Sequence, residues 1–297
     1  MTEKIRPRRS ALYMPASNER ALEKAKTLGA DAVIFDLEDA VAPDAKAGAR
    51  SRACASVSAG GYGRREVVIR VNSLASVWGR EDFAAAATSG ADALCVPKVQ
   101  SADDVAAIRG ALESGGAPGG LGIWVMIETP LGILNAGAIA AAARAERFPV
   151  HALVMGTNDL AKETRAAQTR DRLPMLAWLS GCVVAARAHG LDILDGVYNN
   201  FRDEEGLRHE CRQGRELGMD GKTLIHPGQI APCNEIFSPG ADEIAWARKI
   251  IAAFESEENA GRGVITLDGR MVELLHLDMA RRTVAIADAI EEAGDDI

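Results

Sequence analysis

Residues 124–132 carry the sequence Trp-Val-Met-Ile-Glu-Thr-Pro-Leu-Gly, in which four apolar residues run directly into a carboxylate. A short, unbroken apolar run is typical of a parallel strand that is buried on both faces. Thr-Pro then ends the run, and a helical pattern follows it. We therefore predict a strand whose carboxyl end carries Glu128, at the edge where α/β folds place their chemistry.

The same strand-then-helix order occurs eight times along the chain. The seven other predicted strands are residues 10–14, 32–35, 67–71, 93–96, 152–155, 193–197 and 222–225. A doubly wound open sheet is the alternative, but eight regular alternations favour an α/β (β/α)8 TIM barrel. We predict this barrel for residues 1–237. Residues 238–297 would form a C-terminal helical extension that covers one end of the barrel or reaches another subunit.

Composition restricts the partners of the protein. The chain has 297 residues, is 47% hydrophobic and carries a formal net charge of −8. An acidic protein is a poor partner for a phosphate backbone, so we expect no nucleic acid. Five cysteines without a C-x-x-C pair indicate neither a disulfide framework nor a zinc site, and they fit a reducing cytosol. With no secretory signal or bilayer-length apolar stretch visible, we predict a cytoplasmic protein without a membrane partner.

Two carboxylates follow consecutive predicted strands. Glu128 follows the fifth strand, and Asp159 follows the sixth. Neither has a Cys or His beside it, so the pair suits a hard cation such as Mg²⁺, which prefers oxygen ligands. The alternative is that each acid caps the helix after it, because acidic residues favour the first turn. The spacing alone does not separate these interpretations.

Arg70 lies in the apolar run of residues 67–71. A buried charge must be paired or must bind a ligand, because leaving it alone in the interior is very unfavourable. Its planar guanidinium suits a carboxylate, which could belong to a substrate. The alternative is a structural ion pair with an acid of the second strand.

Three acids lie in the four residues Asp-Leu-Glu-Asp at positions 36–39. If the strand persists, Asp36 and Glu38 share a face. Acids near a metal can orient its bound waters, whereas a solvated loop with a helix cap is the plainer interpretation, above all for Asp39. His226, after the eighth strand, is a candidate acid or base, although a structural histidine fits equally well.

Several stretches together resemble a known family, the citrate lyase β-chain and malyl-CoA lyase group of the HpcH/HpaI aldolase superfamily. They cover nearly the whole chain, in order, at residues 9–15, 29–43 with Lys46 and Arg50, 68–72, 96–98, 127–132, 221–227 with Gln229, and 268–272. The block Asp-Leu-Glu-Asp-Ala-Val and the block Gly-Lys-Thr with its following His-Pro are the most specific. The resemblance implies a TIM barrel.

The resemblance also implies roles for individual residues. Glu128 and Asp159 would hold Mg²⁺, with Glu128 also touching the substrate, and Glu38 and Asp39 would hold metal-bound waters. Arg70 would bind the carboxylate of an α-keto acid. Residues 222–229 would lie near a CoA or acyl-carrier thioester, and Lys98 would be an electrostatic helper.

Members of this family form trimers or hexamers, in which a carboxylate from a neighbouring subunit's C-terminal segment acts as acid or base. The resemblance places that role on Glu273, so a homotrimer or homohexamer is expected. The family commonly has Asp at this position. Glutamate is one methylene longer, and this difference could change the substrate or shift the activity away from cleavage.

Three functions follow from the resemblance. The leading one is a Mg²⁺-dependent carbon-carbon lyase. It would cleave a malyl-CoA, citramalyl-CoA or citryl thioester into an acyl-CoA and an α-keto acid, or form the thioester from them. Retro-aldol cleavage needs positive charge at the keto-acid oxygen and a proton donor for the enolate, which Mg²⁺, Arg70 and Glu273 would supply. The alternatives are a malyl-CoA-type thioesterase and a catalytically silent binding subunit.

Overall fold

The computed structural model describes residues 5–294. Eight parallel strands close into a barrel in chain order, and β8 pairs with β1, which confirms the predicted (β/α)8 barrel. Strands β1 to β8 span Ser10–Pro15, Ala32–Asp36, Glu66–Arg70, Ala93–Val96, Gly122–Ile127, Val150–Met155, Asp192–Asp195 and Gly221–Leu224. Because the strands are parallel, all their carboxyl ends meet at one rim.

Helices surround this barrel and continue into the C-terminal segment. Helices α1 to α12 span Glu19–Ala25, Lys46–Ala59, Gly79–Ala86, Ala102–Ser114, Pro130–Leu134, Ala136–Ala141, Thr157–Thr164, Leu176–Ala188, Glu204–Leu217, Ile230–Phe237, Ala241–Glu255 and Leu274–Gly294. Short 3-10 turns lie at Pro43–Ala45, Leu173–Met175, Pro227–Gln229 and Glu257–Asn259. None of the helices in residues 5–294 is both long and apolar enough to cross a membrane.

Strand side chains divide between two apolar layers. Alternate residues point outward, against the helices, and build the larger core. The others fill the inside of the barrel, where small alanines leave room for the fully buried Trp124. The unbroken apolar runs in the sequence are therefore strands that are buried on both faces.

A charged cluster closes the amino-terminal end of the barrel. The Arg8 guanidinium donates to Glu66 Oε2 at 2.7 Å and to Asp192 Oδ2 at 2.6 Å. It also lies over the Trp124 ring, 5.5 Å from the centroid. Glu66 and Asp192 are the first residues of β3 and β7, so this cluster lies at the end opposite to the rim that carries Glu128.

Three local predictions differ from the structure. The single helix expected after residue 131 is broken at Asn135 into α5 and α6. A helix that was not predicted, α7, starts directly after β6 and includes Asp159. The C-terminal extension, expected to be helical, contains a strand at Arg270–Glu273, β10, and its last helix begins at Leu274.

The C-terminal segment forms a compact unit of its own. Contacts divide the chain into one unit of residues Arg8–Phe237 and a second that contains the segment from Ser238 onward. In the second unit, Val264–Leu267 (β9) pairs antiparallel with β10 through a turn in which Asp268 and Gly269 both have positive φ. Apolar residues of α11, the hairpin and α12 form its core, namely Ala247, Ile250, Ile265, Val272, Leu277 and Ala280.

Candidate active site

Glu128 and Asp159 lie at the carboxyl ends of neighbouring strands, β5 and β6. The capping alternative is wrong for Glu128, because Thr129 is the cap of α5 and its hydroxyl accepts from Gly132 N at 3.0 Å. Helix α7 has no side-chain cap, and Asp159 lies half-buried in its first turn. Glu128 is thus left for another task at the rim, whereas Asp159 has the first-turn position that the alternative predicted.

The sequence makes room for the Glu128 side chain, which is only 1% exposed. Gly156, at the start of the next loop, packs directly against it. A Cβ at position 156 would lie 2.6 Å from Glu128 Oε2, which is too close for any real contact. A glycine is therefore required for the Glu128 carboxylate to occupy this position.

Lys98 links Glu128 to Glu38 across the rim. Its backbone N–H donates to Glu128 Oε1 at 2.8 Å, and its ammonium donates to Glu38 Oε1 at 2.5 Å. The backbone of Lys98 has φ +56°, a left-handed conformation that is uncommon outside glycine. Strained backbone of this kind is often found at functional sites, and here it directs the amide at Glu128.

Arg70 is paired within the protein, as the structural alternative predicted. Its Nε and Nη2 donate to the two oxygens of Asp36 at 2.7 and 2.6 Å. Its Nη1 lies 2.9 Å from Glu38 Oε2 and 3.4 Å from Asp39 Oδ2. Asp39 is 65% exposed at its side chain, whereas Asp36 and Glu38 are buried. Only Nη1 therefore faces the open side, and any ligand carboxylate would share it with Glu38 and Asp39.

Glu38 holds one buried oxygen without a hydrogen bond. Oε1 accepts from Lys98, but Oε2 is not aligned with an N–H of Arg70 despite their short separation. Buried acceptors are nearly always satisfied, so such an oxygen indicates an absent partner such as a water or an ion. Burial raises the pKa of Glu38 and outweighs the opposite effects of Arg70 and Lys98.

Negative charge is in excess around this site. Burial, followed by the Glu38 carboxylate, raises the pKa of Glu128 to about 7, and Asp159 adds to the effect. We use the name rim cluster for the acids Asp36, Glu38, Asp39, Glu128 and Asp159 with the cations Arg70 and Lys98. Five carboxylates and two cations leave a deficit of positive charge, which a divalent cation would neutralise.

The donor set fits Mg²⁺. No group of three or more Asp, Glu, His or Cys side chains with ligand geometry occurs in residues 5–294. Mg²⁺ does not need one, because it usually retains several waters and binds one or two carboxylates. Glu128 and Asp159 would be those carboxylates, and Glu38 Oε2, which has no hydrogen bond, would accept from a metal-bound water.

A second buried charge cluster lies between β7, β8 and α9, and we call it the wall cluster: Arg172, Asp195, Glu210 and Lys222. Lys222 Nζ is 3.0 Å from Asp195 Oδ2 and 2.5 Å from Glu210 Oε1. Arg172 Nη1 donates to both oxygens of Asp195, at 2.7 and 2.8 Å. Lys222 and Asp195 are fully buried, so the Lys222 ammonium is not available to a thioester.

His226 has a local structural task. Its Nδ1 accepts from Gly228 N at 3.1 Å, and its ring stacks on Phe201 with centroids 4.9 Å apart. Beside these residues, a cleft of about 420 Å³ opens between the loops that follow β6 and β7, starting at Thr157 and Asn158. The lining residues Thr157 and Asn158 directly precede Asp159 in the sequence, and the volume of the cleft suits part of an extended ligand.

Glu273 belongs to the C-terminal unit. It is the last residue of β10, half-buried, and its backbone N–H donates to His276 Nδ1 at 3.0 Å. Among the described residues its carboxylate has no hydrogen bond or ion pair. A carboxylate without these partners is compatible with the predicted proton-transfer role of Glu273, which stays a prediction.

Several site features could not be read from the sequence. The backbone role of Lys98 depends on its positive φ, which a lysine does not signal. Gly156 could have been noticed as a glycine directly after a strand, where backbone or side chains approach closely. The contact between Arg70 and Asp36 was one of two open alternatives, and their residues are direct register partners in β2 and β3.

A closed parallel barrel whose carboxyl-terminal rim carries acidic side chains suited to a metal is the arrangement of (β/α)8 barrel enzymes. The chain belongs to the HpcH/HpaI aldolase/citrate lyase family, whose model matches residues 9–227.

Two curated relatives and one solved structure illustrate the similarity. A (3S)-malyl-CoA thioesterase of Cereibacter sphaeroides (strain ATCC 17025) is 51% identical over 294 residues, which cover 99% of each chain. The human mitochondrial citramalyl-CoA lyase is 33% identical over 96% of this chain and 87% of its own. The CitE protein of Mycobacterium tuberculosis, solved with magnesium, acetoacetate and coenzyme A, is 28% identical, has a TM-score of 0.73 and covers 94% of this chain and 97% of its own.

Proposed function

We propose that this protein is a Mg²⁺-dependent enzyme that acts on a (3S)-malyl-CoA-type thioester, with hydrolysis to the free hydroxy acid and CoA as its main reaction. The observation that carries the metal-dependent part is the rim cluster. In it, Glu128 at the end of β5 and Asp159 just after β6 accompany Glu38, whose buried Oε2 is ion-paired with Arg70 but has no hydrogen bond. The thioesterase similarity over the full chain favours hydrolysis.

We assign a different role in the reaction to each residue of the rim cluster. Bound at Glu128 and Asp159, Mg²⁺ would supply Lewis acidity toward substrate oxygens. Arg70 Nη1 would attract the distal carboxylate of the malyl group, and Lys98 would add positive charge beside it. Glu38 Oε2 would accept from a water and orient it. In hydrolysis the water oxygen bonds to the thioester carbon as the C–S bond breaks, and a water proton passes to the departing CoA sulfur.

Carbon-carbon cleavage is the second candidate, and it is favoured by the family and by the citramalyl-CoA lyase relative. In that reaction the hydroxyl proton leaves, the bond between C2 and C3 breaks, and the thioester enolate needs a proton. Glu273 of a neighbouring subunit would donate it in a trimer or hexamer. Hydrolysis forms no enolate, so it does not need Glu273. A cytoplasmic location remains part of this proposal.

Product analysis decides between the two reactions. Purified protein is incubated with (3S)-malyl-CoA and Mg²⁺, and the products are separated by liquid chromatography and mass spectrometry. Malate with CoA supports hydrolysis, whereas glyoxylate with acetyl-CoA supports cleavage. If malyl-CoA, citramalyl-CoA and citryl-CoA each give neither the free hydroxy acid with CoA nor an α-keto acid with acetyl-CoA, the enzymatic proposal is wrong and a binding role replaces it.

Glu273→Gln provides the matched control for this assay. If the reaction is hydrolysis, the variant keeps the wild-type rate of malate formation. If the reaction is cleavage, acetyl-CoA formation falls by about 100-fold, which is typical of losing a general acid.

A further inference from the structure

Lys46 lies buried below the acids of the rim cluster without belonging to it. It is 6% exposed, and its ammonium donates at 2.8 Å to each of three oxygens: Leu37 O, Glu38 O and Asn72 Oδ1. All three donors of the lysine are therefore used. A cation–π contact with Trp78, at 5.0 Å, covers the same ammonium.

This placement is not explained by the stability of its own helix. Lys46 is the first residue of α2, and a cation at a helix N-terminus opposes the helix dipole. Its ammonium has no carboxylate as a direct hydrogen-bonding partner, so its charge is not neutralised by a close ion pair. We therefore look for the role of Lys46 in the loop whose carbonyls accept its hydrogen bonds, at Leu37 and Glu38.

A chain of hydrogen bonds continues from Lys46 to the barrel surface. Asn72 Nδ2 donates to Leu37 O at 2.9 Å and to Asp82 Oδ2 at 2.6 Å. Asp82 is fully buried and accepts at its other oxygen from Arg50 Nε at 2.8 Å. Lys46 of α2 thus holds the carbonyls of Leu37 and Glu38, which flank the Glu38 Cα. Asn72, just after β3, adds a bond to the Leu37 carbonyl and links it to Asp82 of α3.

We propose that Lys46 is a positioning residue for the metal-dependent reaction: it fixes the backbone of Glu38 so that the Glu38 carboxylate is held between Lys98 and Arg70. The two side-chain oxygens of Glu38 face different cations, at 2.5 and 2.9 Å. A backbone shift of about 1 Å would break this arrangement, and displacements of that size are known to slow catalysis by about 100-fold. The inference rests on the proposed function, because it assigns Lys46 to the same metal site.

Lys46→Met tests the proposal because it retains the length of the side chain and removes the three donors. We expect kcat to fall by about 100-fold, with little change in KM for the thioester, because Lys46 touches no substrate. The dissociation constant of Mg²⁺, measured by isothermal titration calorimetry without substrate, should rise about tenfold, as for residues that orient metal-bound groups. Asn72→Ala removes one acceptor and the link to Asp82, so it should shift both quantities in the same direction by less.

Arg8→Met is the matched control, since it removes a buried cation at the opposite end of the barrel. It should lower the thermal midpoint while leaving kcat of the folded protein and the Mg²⁺ affinity unchanged. Variants of Lys46 and Asn72 that lose stability but retain wild-type kcat and Mg²⁺ affinity overturn the inference. If Lys46→Met does not fold, Asn72→Ala decides alone. Failure of the proposed function shows instead in the wild type, as absent Mg²⁺ binding or absent turnover.

Discussion

The rim cluster and the wall cluster are both buried charge clusters of the barrel, and they differ in how completely their groups are satisfied. In the wall cluster two cations face two carboxylates, and Lys222 and Asp195 are fully buried and hydrogen-bonded. The rim cluster has five carboxylates and two cations, a half-exposed Lys98, and a buried Glu38 oxygen without a hydrogen bond. A closed and balanced cluster stabilises the fold, whereas an open and anionic one is prepared for a cation and a substrate.

The largest expected effect comes from Glu128→Gln in the rim cluster. This change keeps the shape of the side chain but removes the charge that would hold Mg²⁺, so Mg²⁺-dependent turnover should fall by on the order of 1,000-fold. Steady-state kinetics at increasing Mg²⁺ measure it. Unchanged turnover at low Mg²⁺ would show that Glu128 is not a metal ligand.

Asp195→Asn tests the structural role of the wall cluster. The substitution leaves Lys222 and Arg172 buried without their shared carboxylate, which should reduce the free energy of unfolding by about 3–5 kcal/mol. Urea denaturation gives this value, and calorimetry on the folded variant should give the wild-type affinity for Mg²⁺. Weakened Mg²⁺ binding with normal stability would reverse the roles that we assign to the two clusters.

Lys98→Met separates the side chain of Lys98 from its backbone. The amide at position 98 can still donate to Glu128, but Glu38 loses its ammonium partner. We expect kcat to decrease by on the order of 10- to 100-fold, since one electrostatic contact near the reacting group is lost. Lys26→Met, at a partly exposed lysine that pairs with Glu23 and lies over Tyr62, is the control and should have wild-type kinetics. Equal rates for both variants would remove Lys98 from the mechanism.

Acid should affect the wall cluster through Asp195. Burial alone would raise the pKa of Asp195, but Lys222 and Arg172 outweigh it and hold that pKa below its usual range. A lowered folded-state pKa stabilises the protein above the unfolded-state pKa of about 3.9, and this contribution disappears as the pH falls through the folded value. The stability difference between wild type and Asp195→Asn should thus be constant from neutral pH down to about pH 5 and shrink below about pH 4. A difference that shrinks already near neutral pH would contradict this assignment.

The barrel could be predicted because buried parallel strands are recognisable in the sequence as apolar runs that end at a charge or a turn. The sequence also predicted that Glu128, Asp159 and Arg70 would meet at one rim, since that follows from parallel strands alone. It could not choose between an ion pair and a ligand contact for Arg70, because the choice depends on where the Asp36 side chain points. Interactions through the backbone, such as that of Lys98, leave no pattern in the sequence.

The hairpin of the C-terminal unit shows a different limit. Residues 270–273 have the apolar content of a helix start, and they follow a recognisable turn at Asp268 and Gly269. Their pairing with β9 depends on a register that residue spacing did not reveal. The same limit applies to Lys46, which belongs to the stretches that carry the family resemblance but whose sequence gives no sign of its three acceptors.

Calorimetric titration of Mg²⁺ into the wild-type protein and Asp159→Asn tests the central claim most directly. Asp159 would be the second metal ligand, and it lies half-buried in the first turn of α7, outside the apolar core, so its replacement should not disturb that core. We predict one Mg²⁺ per wild-type chain and at least about a tenfold loss of affinity in the variant. Identical binding curves for the two proteins, or no binding to the wild type, would contradict the account.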